Sequence, residues 1–103
     1  MPTLNRYLAE KSLTKLARSL SPAQQNGVKI LLAQMAEDGH ANYHALREAL
    51  SPAAGSVNSA NTMLKRFLDK LNDAAKAAGI SIQLYTTADK KAGDRRQVWC
   101  EGE

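Results

Sequence analysis

The sequence predicts an α+β fold that is mostly helical, with an N-terminal helix added to a helical body and a C-terminal β-hairpin. Three observations predict it. Apolar residues recur at helical spacing over most of the first 78 positions. Ser, Asn, Pro and Gly punctuate those runs where helix starts and stops need them. After Gly79 the apolar period changes from helical to two, which is a strand pattern.

A chain of 103 residues is one domain by size, so residues 1–103 are taken as a single unit. The first helix is expected over residues 3–20, where Leu4, Leu8, Leu16 and Leu20 form a stripe filled in by Leu13 and Ala17. The second spans residues 22–37. Ser21 is its N-cap, Pro22 takes the first helical position, and Gln24 completes a capping box. Val28, Leu31, Leu32 and Met35 form its inner face, Gly27 is a mild propensity penalty, and Gly39 can take the left-handed conformation that stops it.

His40-Ala41-Asn42 reads as a connector, and Asn42 caps a brief helix over residues 42–50 with Tyr43, Leu46, Ala49 and Leu50 inward. The loop from Ser51 to Gly55 follows. Ser56 then caps the most strongly patterned segment, residues 56–78. Its stripe runs through Val57, Ala60, Leu64, Phe67, Leu68, Leu71, Ala75 and Ala78, and the helix is roughly 33 Å long at the standard rise. Heptad spacing also fits, so a coiled-coil dimer is the structural rival. Leu68 and Ala75 widen the stripe beyond a two-position seam and favour a globular core.

The hairpin is expected over residues 80–101. Ile80, Ile82 and Leu84 alternate with Ser81, Gln83 and Tyr85. A polar, turn-rich tip precedes a return strand with Val98 and Cys100 on one face and Gln97 and Trp99 on the other.

Composition excludes several classes. Hydrophobic content of 44% and charged content of 23% are ordinary for a soluble domain. No run approaches the length of a spanning helix, and basic residues interleave the leucines of residues 1–20 where a signal peptide would be continuously apolar. Cys100 is the single cysteine, so no internal disulfide is possible and a reducing cytoplasm is the expected setting. His40 and His44 are spaced i, i+4, but no second cluster supplies further zinc ligands. Cys100 fits a small buried apolar group better than a nucleophile. No glycine-rich phosphate loop or metal-spaced carboxylate pair appears. No enzyme, cofactor or metal is expected.

Net charge is +4, with a sequence pI near 9.4. Arg6, Lys11, Lys15 and Arg18 oppose only Glu10 in residues 1–20, and Lys90, Lys91, Arg95 and Arg96 crowd the hairpin tip. Positive charge is thus concentrated at the two ends of the chain.

Helix, short helix, glycine-containing turn, long helix and hairpin is an element order that resembles winged helix-turn-helix DNA-binding domains. Leu64, Lys65, Arg66 and Lys70-Leu71 make the long helix similar in pattern to the output domains of bacterial response regulators, here without a receiver domain. The resemblance implies a transcriptional regulator or a plasmid- or phage-type site-binding factor. It would act on double-stranded DNA, as a homodimer across a two-fold site, with the first helix as the dimerisation element.

On that reading the long helix enters the major groove with its N-terminal half toward base edges. Asn58, Ser59, Thr62, Lys65 and Arg66 lie opposite the apolar stripe, and Ser56 presents free N–H groups to a phosphate. The wing, through Lys90, Lys91, Arg95 and Arg96, would neutralise backbone phosphates. The plain alternatives are a solvated helix face and a hairpin kept soluble by charge. Tyr85 and Trp99 are either a cross-strand aromatic pair or an exposed patch for a protein partner. A protein-interaction module using that patch or the first helix is therefore the second functional reading.

Overall fold

A computed structural model of the chain describes residues 2–52, 55–87, 93 and 95–102. Among these, four helices pack on one three-stranded antiparallel sheet. The order is α1 (Arg6–Ala17), α2 (Pro22–Gln34), β1 (His40–Asn42), α3 (Tyr43–Leu50), α4 (Val57–Ala78), β2 (Ile82–Thr86) and β3 (Gln97–Gly102).

The helix starts follow the capping chemistry of the sequence. Ser21 Oγ accepts the Gln24 N–H at 3.3 Å while Gln24 Oε1 accepts the Ser21 N–H at 3.2 Å, the reciprocal capping box. Asn42 Oδ1 caps α3 through the Ala45 N–H at 2.9 Å, and Ser56 Oγ caps α4 through the Ser59 N–H at 3.1 Å. At the far end of α4, Gly79 has φ +70° and the Ile80 N–H reaches back to the Ala75 carbonyl at 2.9 Å.

Sequence-based boundaries need correction where strands intervene. The first helix begins at Arg6, not residue 3, because the residues before it are used as sheet edge. The Leu4 N–H donates to the Cys100 carbonyl at 2.9 Å, Thr3 bridges to Glu101, and Asn5 Oδ1 caps the helix instead. It ends at Ala17, where Gln25 Nε2 donates to the freed Ala17 and Leu20 carbonyls at 2.9 and 3.1 Å.

The second helix stops at Gln34, not residue 37. Met35 turns extended and bridges to Ala41, and the Ala36 N–H donates to the His40 carbonyl at 2.9 Å. Gly39 therefore serves the turn into β1 rather than the helix end. Its φ is +91°, and a Cβ there would collide with the Leu4 carbonyl oxygen.

His40-Ala41-Asn42, read as a connector, is strand β1. It pairs antiparallel with β3 in the register His40↔Trp99, Ala41↔Val98, Asn42↔Gln97. The expected hairpin is β2 with β3, in the register Ile82↔Gly102 through Thr86↔Val98. It is part of a sheet of order β1-β3-β2, with β3 central. β1 and the segment around Thr3 share one edge of β3; β2 takes the other.

The core joins Ala9, Leu13 and Leu16 of α1 to Val28 and Leu31 of α2, Leu46 of α3, Leu64, Leu68, Leu71 and Ala75 of α4, and Leu84, Val98 and Cys100 of the sheet. Each fully buried Leu stabilises the fold by about 1.5–3 kcal/mol relative to exposure. Because the α4 stripe is covered by the chain's own core, the coiled-coil rival is excluded. The stripes are shorter than expected: Val57 is 59% exposed, Leu8 is 43% exposed, and Ala78 also faces out. Val57 and Ala78 are the first and last residues of α4, and Ala9 takes the inward position expected of Leu8.

No helix among the described residues is long and apolar enough to cross a membrane.

Candidate functional site

One flank of α4 and the hairpin enclose a half-open groove of about 650 Å³. Asn58, Asn61, Thr62, Lys65, Asp69 and Asn72 line its α4 side, at spacings of three or four that put them on one face. Tyr43, Leu84, Thr86 and Arg96 close the other side.

Four expected site residues thus come together: Asn58, Thr62, Lys65 and Arg96. Ser56, Ser59, Arg66 and Arg95 are exposed but lie outside the groove. Lys90 and Lys91 fall outside the described residues. Ser56 is committed to holding the helix start, since its Oγ meets both the Ser59 N–H and the Ser59 hydroxyl at 3.1 Å. The Thr62 hydroxyl donates to the Asn58 carbonyl at 3.0 Å, so it is satisfied within its own helix.

Arg96 is not a tip residue. Its guanidinium carbon stands 3.8 Å from the centroid of the Tyr43 ring, a cation–π contact at the base of the hairpin. The backbone fixes the same junction, with the Tyr43 N–H donating to the Arg96 carbonyl at 2.9 Å. The Tyr43 hydroxyl donates to Asn61 Oδ1 at 3.3 Å, and Arg47 Nη1 donates to the same oxygen at 3.2 Å. Arg47 Nη2 reaches Glu48 at 3.2 Å. These contacts lock α3, α4 and the hairpin base together, so Arg96 holds the fold rather than reaching outward.

Sequence reasoning missed Tyr43, Asn61 and Asn72. Asn72 Oδ1 accepts the Leu84 N–H at 2.7 Å and its Nδ2 donates to the Leu84 carbonyl at 3.2 Å, which pairs the outer edge of β2 with a side-chain amide. The available signal was a polar stripe, Asn58, Asn61, Lys65, Asp69 and Asn72, running beside the apolar one.

The aromatic pair is the plain cross-strand kind. Tyr85 and Trp99 are opposed in register with ring centroids 6.1 Å apart and 21° between planes. His40 adds a third ring 5.5 Å from Trp99, and Trp99 Nε1 donates to Glu101 at 2.9 Å. The two histidines diverge: His40 pairs with Asp38, and His44 Nε2 stands 2.9 Å from the Gly93 carbonyl oxygen. Cys100 is fully buried, and that burial pushes its thiol pKa up to about 12.

A second surface lies on α1. Tyr7 is 73% exposed and Leu8 43%, adjacent apolar residues on a helix whose opposite side fills the core.

Comparison with known proteins corrects the resemblance drawn from element order. The family model described as NACHT N-terminal helical domain 6 matches residues 5–103. No curated protein and no solved structure matches the chain. The match overturns the assignment to winged helix-turn-helix DNA-binding domains and, with it, transcription regulation and DNA as the partner. A shared order of elements is a packing solution and does not carry function with it. The chain belongs to the NACHT N-terminal helical domain 6 family.

Proposed function

We propose that this domain is a protein-interaction module, binding rather than catalysing, and that it acts in NACHT-type signalling; the description of its family supports this reading. The element order α2-β1-α3-α4-β2-β3 after α1, with strand order β1-β3-β2, supports a winged-helix reading of the scaffold. The carrying observation is the exposure of Tyr7 and Leu8 on the outer face of α1. Exposed apolar neighbours on a helix already anchored by its other face are what a partner would cover. The rival surface, Tyr85 with Trp99, is half-buried and satisfied by its own stacking and by Glu101.

The test is crosslinking in an extract of the source cells, using the intact chain and its Tyr7→Ala/Leu8→Ser variant. One stoichiometric protein crosslinked to α1, resistant to nuclease and lost in the variant, is expected. The same unspecific set from both chains, or loss of the species on nuclease treatment, refutes the reading.

A further inference from the structure

Of three grooves lined by α1 residues, two carry basic residues and no acidic ones. The first, about 300 Å³, lies between α1 and the α4–β2 turn, with Leu8 and Ile80 as its apolar part and Lys11 and Lys15 on its rim. The second, also about 300 Å³, lies between α1 and α2, floored by Ala17, Val28 and Leu32 and rimmed by Arg18 and Lys29. Lys11, Lys15 and Arg18 follow one ridge of the helix at spacings of four and three.

No carboxylate among the described residues pairs with Lys11, Lys15, Arg18 or Lys29. Glu10, the sole acid of α1, lies in a separate groove with Arg6, Tyr7 and Glu37. By contrast, Asp69 lines the groove along α4, and Asp73 lines the one near the C-terminal end of that helix.

Apolar seats whose charged lining is cationic alone define their occupant by complementarity. We infer that the outer face of α1 docks an acidic amphipathic segment of a partner protein, its apolar side chains seated in the two flanking grooves and its carboxylates over Lys11, Lys15, Arg18 and Lys29. This rests on the interaction-module reading and specifies the partner's chemistry. A second copy of the chain is a poor occupant, because an isologous contact would set this cationic ridge against itself.

The experiment uses the intact chain and two synthetic amphipathic helical peptides, each leucine-faced, one with glutamates and one with lysines on its polar face. Fluorescence anisotropy is expected to show binding of the glutamate peptide only, weakening as salt rises. Lys11→Glu/Lys15→Glu should reduce that affinity about tenfold or more, and the neutral Lys11→Gln/Lys15→Gln should fall between. These side chains are exposed, and circular dichroism checks that each variant keeps its helices. Equal binding of both peptides, no binding of either, or indifference to charge reversal overturns the inference. So does tighter binding to phosphatidylserine vesicles than to the glutamate peptide, which would assign the ridge to a membrane surface. A crosslinked partner that is lost in Tyr7→Ala/Leu8→Ser but unaffected by charge reversal sinks the acidic segment and leaves the interaction module standing. Absence of any stoichiometric partner removes the module itself.

Discussion

Gly27 of α2 lies directly against the ring of Phe67 of α4: a Cβ on Gly27 would stand 2.5 Å from Cε1 and 2.8 Å from Cζ of that ring. Glycine in a helix interior costs about 1 kcal/mol relative to alanine. Here that cost is offset by the close approach of two helices. Gly27→Ala gains propensity but must displace a ring packed against the core, and overpacking of this kind costs about 1–3 kcal/mol. A net loss of about 1 kcal/mol in urea denaturation is expected, with recovery when Phe67→Leu is added. Gly27→Ala equal to or above wild type in stability would contradict the contact.

Asn72 completes the hydrogen bonding of Leu84 on the side of β2 that no strand covers. Asn72→Ala should cost about 1–3 kcal/mol, because the Leu84 N–H and carbonyl lose their partners in a half-buried place. The sharper reading is local. Amide exchange at Leu84 should accelerate well beyond the change at Val98 in central β3; uniform acceleration would mean Asn72 acts only through global stability.

The Arg96 stack on Tyr43 should tolerate neither partner's loss. Arg96→Ala is expected to destabilise by about 0.5–2 kcal/mol, and Tyr43→Leu by a similar amount for the same contact. In a double-mutant cycle the two changes should be non-additive. Strict additivity would show that the guanidinium and the ring are neighbours without coupling.

Cys100 should resist Ellman's reagent at neutral pH in the folded state and react at once in guanidinium. Burial raises its thiol pKa from 9.0 to about 12, so the native state holds the proton where the unfolded chain has released it. The associated stability is fully present below pH 9.0 and is lost as pH rises through about 12. Labelling of the native protein faster than its global unfolding would show an access route that the burial of Cys100 denies.

Gly39→Ala should be among the most damaging single substitutions. Its backbone sits at φ +91° and the Leu4 carbonyl oxygen occupies the space a methyl group needs. A loss of about 3 kcal/mol or more is expected, enough to leave a small domain largely unfolded at moderate temperature. The neighbouring Asp38 gives a milder acid response. The His40 backbone N–H donating to it, with the His40 ring beside it, holds its carboxyl below 3.8. Its contribution is present above 3.8 and is lost as pH falls through the lower folded value.

What could be read in the sequence was what neighbouring residues decide. Ser56, the α4 stripe and the Gly79 stop are local chemistry, and the helix sits within one residue of where they put it. β1 was not legible, since three residues carry no period and their partners, Gln97 to Trp99, are far along the chain. Gly27 read as a propensity penalty, and Asn72 drew no notice, because their reasons, Phe67 and Leu84, lie on other elements. Of the site, Asn58, Thr62 and Lys65 came together because one helix face holds them. Arg96 depends on a tertiary stack that no spacing reveals. Element order pointed to the wrong relatives, because one arrangement of elements serves unrelated families.

The central place of β3 fixes the order in which the molecule can be assembled. β1 and the segment around Thr3 have no strand to pair with until residues 97–102 exist, and neither does β2. During synthesis the helices can begin to pack as they leave the ribosome, while three separate edges wait for one late strand. β2 closes through a short hairpin, but β1 must close over about half the chain and the Thr3 segment over nearly all of it. This slows completion of the sheet and makes that unpaired edge of β3 its exposed stage.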